Sequence, residues 1–213
     1  MSDLHNKQDN TQEHKKDHHH GQEDPFSNPS KTFIWIYSIR NYLRRRSYYK
    51  EIMNRLNLTG SETVLDFGSG VGSLAKRLAS HLTNKGRLIC LDVSPKLLDY
   101  TKKQLKKYPN VKYFLGDITK QSIPEKSVDY IVSTWVLHHL DRNTLEQAII
   151  SFKSVLKDEG KIFIIEFPEN YSSNHRIHSI INLNDILDLF KAQNFSNRVL
   201  LTKKTGILYE FSN

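Results

Sequence analysis

The chain has one cysteine, Cys90, so an intrachain disulfide is excluded and a reducing, cytoplasmic setting is expected. Long apolar runs are missing too. Nothing approaches the roughly 18 consecutive apolar residues of a membrane-spanning helix. The N-terminus lacks the basic-then-apolar layout of a secretory signal. No internal repeat appears, and no Asn/Asp-Pro-Pro-Tyr tetrapeptide occurs anywhere in the chain. Apolar residues are scarce before position 31, where Asn, Gln, Asp, His and Lys dominate. A segment so poor in apolar surface does not repay the entropy of ordering, so residues 1–30 read as a disordered tail. His18, His19 and His20, with His14 nearby, offer imidazoles to a transition metal. Nothing local fixes a ligand geometry, and no metal site is assigned.

What remains is a soluble globular balance, with 38% hydrophobic and 25% charged residues among 213. The net charge of +8 is unevenly spread: residues 1–30 hold three lysines against six acids, whereas residues 31–58 carry seven cations against Glu51 alone. Residues 31–58 read as a basic helical cap, in one helix or in two broken near Ser47. Trp35, Ile39, Tyr42, Tyr49, Ile52, Met53 and Leu56 recur at three- and four-residue steps, forming an apolar stripe opposite Arg44, Arg45 and Arg46. A core-facing stripe is the expected use. An anionic membrane surface, nucleic acid or an anionic substrate remain open partners for the basic face.

From residue 59 onward, short apolar runs alternate with helical patterns. Strands are expected at Thr63–Phe67, Arg87–Asp92, Val111–Leu115, Val128–Ser133 and Lys161–Glu166, and helices near Ser73–His81, Pro95–Lys107 and Thr144–Leu156. Ser94 before Pro95 has the form of an N-cap. The alternation predicts parallel strands joined by crossover helices. After a helix capped by Asn182 and ending near Gln193, Arg198–Thr202 and Ile207–Phe211 read as two strands around a turn holding Gly206.

Chemistry concentrates in Val64-Leu65-Asp66-Phe67-Gly68-Ser69-Gly70-Val71-Gly72, a strand ending in an acid and opening into a glycine loop. Glycines permit positive φ and close approach of backbone to a ligand. Two further acids follow later strands: Asp92, twenty residues beyond Gly72, and Asp117. Parallel strands put their carboxyl ends along one edge, so all three acids can line one crevice.

These residues resemble the class I methyltransferases over nearly all of Glu51–Asn213, and most closely the small-molecule and quinone type. The resemblance implies a Rossmann-like α/β fold: a doubly wound, mostly parallel seven-stranded sheet with an antiparallel last strand at or near the edge. It implies S-adenosylmethionine as cofactor, with the loop of Asp66, Gly68, Gly70 and Gly72 around its methionine part. Asp92 would then hold the ribose, Val93 would pack on adenine, and Asp117 with Ile118 would read the adenine amino group. Thr134 matches a further cofactor-contacting position. Leu156–Lys161 resembles the family's turn into its fifth strand, and Asn194 stands where a glycine is frequent. For catalysis, His138, His139 and Glu166 are candidate bases, needed only when the acceptor must lose a proton. Tyr48, Tyr49 and Arg45 are candidate acceptor contacts from the basic helix. The expected reaction is methyl transfer to a small or medium-sized acceptor, with an anionic acceptor among the candidates. Two other readings stay open. One is a non-catalytic cofactor-binding or assembly subunit. The other is a nicotinamide enzyme, since Gly70-x-Gly72-x-x-Ala75 also satisfies the dinucleotide fingerprint.

Overall fold

In the computed structural model, the described residues are 30–83, 85–169, 171 and 180–213, without the side chains at 31, 33, 35 and 37–44. The polar tail, its histidines, and the side chains of Trp35, Ile39, Tyr42 and Arg44 therefore lie outside the described residues. One helix, α1 (Lys31–Leu56), leads without a break at Ser47 into β1 (Thr63–Phe67), α2 (Ala75–His81), β2 (Arg87–Asp92), α3 (Pro95–Gln104) and β3 (Val111–Leu115). The chain then crosses back through β4 (Val128–Thr134), α4 (Arg142–Val155), β5 (Leu156–Glu166), α5 (Leu183–Ala192), β6 (Ser196–Lys203) and β7 (Gly206–Ser212). Two single-turn helices, Ile118–Lys120 and Leu137–His139, follow β3 and β4.

The strands form one seven-stranded sheet in the order β3-β2-β1-β4-β5-β7-β6. The first five run parallel, and β7 runs against both β5 and β6. The antiparallel strand thus sits one place inside the edge, with β6 outermost. Alternate residues feed opposite faces. Leu65, Ile131 and Ile164 join α4 and α5 on one side. Val64, Val132 and Phe163 meet Leu78 of α2, Leu98 of α3 and Tyr48, Ile52 and Leu56 of α1 on the other. Burial on both faces explains why the central strands read as continuous apolar runs. The last two turns of α1 are therefore part of the core.

Local chemistry explains most boundaries. Asn182 caps α5 by accepting from the Asp185 amide, and Asp141 does the same for α4 through Thr144. Asn194 takes φ +62° after α5, the left-handed position where the resemblance has glycine. Ser94 departs from expectation: it stands at the N-cap of α3, but its hydroxyl makes no cap bond, and its own amide donates to Asp92 instead. Leu156–Gly160, which resembles a turn, belongs to β5. Leu156 pairs with Val128 across a register shift in β4, and Lys157 pairs with Asp129 at 2.7 Å. Cys90 is buried mid-strand, and burial raises its thiol well above the ordinary range, which makes it a poor nucleophile.

Candidate active site

The chain direction across the sheet reverses between β1 and β4, and a cleft opens there along the carboxyl edge. This is where open α/β sheets hold ligands. Asp66, Gly68 and Gly70 after β1, Asp92 and Val93 after β2, Asp117 and Ile118 after β3, and Thr134 after β4 all line it. Gly72 does not. A Cβ there would come within 2.9 Å of Thr101 on α3, so Gly72 serves packing of the loop and does not face the cleft. Gly70 is the opposite case. It has φ +54°, and a Cβ would meet nothing nearer than the Gly68 carbonyl at 3.9 Å. The loop thus offers bare backbone to the cleft at Gly70.

The amides of this loop are already used. Gly68 and Ser69 donate to the Leu91 carbonyl at 2.8 and 3.0 Å, Gly72 to Ser69, and Gly70 to Asp92 Oδ2 at 2.7 Å. Thr101 donates from its hydroxyl to the Gly70 carbonyl at 2.8 Å and fixes the loop's shape. These four amides are therefore bonded within the protein and not directed at an anionic ligand. The acids carry the electrostatics. Asp66 is buried, its Oδ2 has no hydrogen-bond partner among the described residues, and burial with the nearby Asp92 carboxyl pushes its pKa up to about 7. Burial likewise raises Asp92, against the opposing effect of the Ser94 and Gly70 amides. Asp117 turns one oxygen to the Thr119 amide at 2.9 Å, so it is both a helix cap and a cleft acid. Val93 is 72% exposed, an apolar side chain presented where a flat ligand can rest on it. A cleft with three acids and internally bonded loop amides suits a ligand with positive charge and hydroxyls. It suits a pyrophosphate poorly.

The other end of the cleft is aromatic and basic. Trp135 follows β4 with φ +56°, a conformation a bulky residue rarely adopts, and its amide donates to the Ile165 carbonyl at 2.8 Å. The Arg45 guanidinium lies 4.1 Å over its ring. Arg45 and Tyr49 both line the cleft, whereas Tyr48 packs edge-on against Trp135 and donates its hydroxyl to the Gly206 carbonyl at 3.1 Å. Tyr48 is thus a core residue that anchors α1.

The three candidate bases separate. His139 lines the cleft. His138 and Glu166 are buried and line a second cavity with Tyr171 and Asn182. Glu166 Oε1 accepts the Val136 and Leu137 amides at 3.1 and 2.8 Å, and Oε2 lies 2.6 Å from His138 Nδ1. The rings of His138 and His139 are 4.1 Å apart. Trp135 and Ser69, both of which line the cleft, were not among the candidates. Ser69 sits inside the glycine motif, with its hydroxyl buried and without a partner, so the motif itself was the available signal.

Residues 64–160 match the family model described as a methyltransferase domain. The chain is 33% identical over 116 residues to an uncharacterized methyltransferase of Oceanobacillus iheyensis, covering 54% of this chain and 51% of that protein. It is 28% identical over 149 residues to a ubiquinone/menaquinone biosynthesis C-methyltransferase of Wigglesworthia glossinidia brevipalpis, covering 68% and 58%. The chain thus spans about half the length of the first of these relatives and less than two thirds of the second. Its fold matches the crystal structure of an S-adenosylmethionine-dependent methyltransferase from Aquifex aeolicus at TM-score 0.67 and 20% identity, over 76% of this chain and 88% of that one.

Proposed function

We propose that this chain, a class I methyltransferase by its matched domain and its fold, transfers a methyl group from S-adenosylmethionine to a small or medium-sized acceptor. The observation that carries the reading is the charge of the cleft. Asp66, Asp92 and Asp117 converge on it while four loop amides are bonded inside the protein. A sulfonium with an amino group and a ribose fits those groups; a dinucleotide pyrophosphate would face the same acids without amides to receive it.

The residues fit the cofactor one by one. Asp66 Oδ2 is a buried acceptor in need of a donor or cation, and Gly70 leaves open the space that a side chain would fill. Asp92 accepts the ribose hydroxyls beside its two amide bonds, Val93 covers the adenine face, and Asp117 with Ile118 borders its edge. Thr134 closes the cleft at the end of β4. When bound, the cofactor supplies an already activated methyl group, so alignment of the acceptor provides most of the acceleration. Arg45, Tyr49, Trp135 and His139 form the wall left for that acceptor. Where the acceptor has a proton to lose, His139 takes it. Glu166 and His138 act as positioning residues, because Glu166 holds the turn that carries Trp135 and His139.

Two readings are not favoured. In the nicotinamide reading the second glycine of the fingerprint, Gly72, must meet the ligand, yet it is packed against Thr101. A non-catalytic subunit would leave the acceptor wall without a use. Calorimetry tests the proposal: S-adenosylhomocysteine should bind one site per chain with S-adenosylmethionine as competitor, and NAD should not bind. Binding of NAD without a response to S-adenosylhomocysteine overturns it.

A further inference from the structure

We infer that the acceptor carries a carboxylate or phosphate group and that Arg45 recognises it; this rests on the methyl-transfer reading. The cleft is divided electrically. Its acids stand at the ends of β1, β2 and β3, and its arginine stands beyond β4 on α1. An anion drawn into such a cleft is repelled from the acid end and attracted to the arginine end. That sets the direction in which the acceptor lies before any shape is read. A neutral or cationic acceptor gains nothing from this division.

Arg45 is held for the task. Its guanidinium carbon lies 4.1 Å over the Trp135 ring centroid at the cleft wall, and a guanidinium is the side-chain group that matches carboxylate and phosphate oxygens in pairs. The platform beneath it is fixed from several sides. The Trp135 indole donates to the Thr205 carbonyl at 3.3 Å, its backbone is tied to Ile165, and its ring meets Tyr48 edge-on at 5.2 Å. Gly206, in the turn between β6 and β7, lets these parts close: a Cβ there would come within 3.1–3.2 Å of Ile165, Trp135 and Tyr48. Trp135 pays a strained backbone conformation at this one place, which is where strain points to function. A pre-ordered arginine loses little entropy on binding. The other ionisable groups on the cleft at this end are Tyr49 and His139.

The test separates the acceptor question from the cofactor question. A metabolite extract is divided by anion exchange at neutral pH, before any reaction, into an anionic and a non-anionic pool. Each pool is offered to the full chain with methyl-labelled S-adenosylmethionine, and phosphatase treatment of the anionic pool distinguishes phosphate from carboxylate acceptors. Label should move into the anionic pool. Arg45→Met should lower kcat/KM for that acceptor by about tenfold to a hundredfold, chiefly through KM. Arg45→Lys, which keeps charge and loses the fork, should fall between. Affinity for S-adenosylhomocysteine should stay at the wild-type value in both variants, which also shows that they fold. Transfer into the non-anionic pool, or an unchanged KM in Arg45→Met, overturns the inference and leaves the methyl-transfer reading intact. Cofactor binding without transfer into either pool defeats both.

Discussion

Asp66 and Glu166 are both buried acids near the carboxyl ends of parallel strands, β1 and β5, with β4 between them, and they have opposite surroundings. Glu166 receives two backbone amides and the His138 ring, so its carboxyl oxygens are all engaged by the protein. Asp66 has an oxygen with no partner, and its pKa is displaced to about 7. Burial alone therefore says little about role. An acid whose bonds are complete is part of the architecture, and one left incomplete on the wall of a cleft is prepared for a ligand.

The contrast predicts different penalties. Glu166→Ala leaves two amides and a histidine without their acceptor, and urea denaturation should register a loss of about 3–5 kcal/mol. A loss below about 1 kcal/mol would remove the structural half of the comparison. Asp66 should show itself through pH. A carboxyl with a pKa of about 7 in the fold and near 3.9 in the unfolded chain keeps its proton only when folded between those values. Its contribution to stability therefore falls as pH rises from about 4 to 7, and then stays level. Unfolding measured across that range should give Asp66→Asn a profile flatter than wild type by on the order of 2–4 kcal/mol. Asp92, raised in the same direction, keeps a residual slope in both proteins. Parallel profiles would contradict the assignment. The smallest effect is expected at Tyr48→Phe, which removes the hydroxyl's bonds to the Gly206 carbonyl and to the Thr205 hydroxyl and should cost about 1–2 kcal/mol of stability without changing cofactor affinity.

Much of the frame was legible because local chemistry and tertiary packing agree in it. The β1 and β2 boundaries, the Asn182 cap and the left-handed Asn194 all follow from short-range patterns that the fold then uses. The misses share a cause, which is that the deciding partner is distant in sequence. Gly72 looks like a cleft glycine until α3 brings Thr101 against it. Tyr48 and Tyr49 are adjacent, chemically alike and buried in the same cluster, and what tells them apart is distant: the β6–β7 turn takes the Tyr48 hydroxyl, while Tyr49 also lines the cleft. His138 and His139 are sorted in the same way by Glu166, twenty-eight residues beyond His138. Trp135 gave no signal at all, since a tryptophan is a poor choice for positive φ unless its surroundings impose it.

The central claim is that the acid end of the cleft holds the cofactor and the arginine end holds the acceptor. Calorimetric titration of S-adenosylhomocysteine into Asp92→Ala and Arg45→Met, side by side with wild type, tests it most directly. Asp92→Ala should weaken binding by about 1.5–3 kcal/mol, roughly ten- to a hundredfold, by losing charge-assisted bonds to the ribose. Arg45→Met should bind as wild type does. If Arg45→Met loses as much affinity as Asp92→Ala, or Asp92→Ala loses none, the cleft is not divided as described.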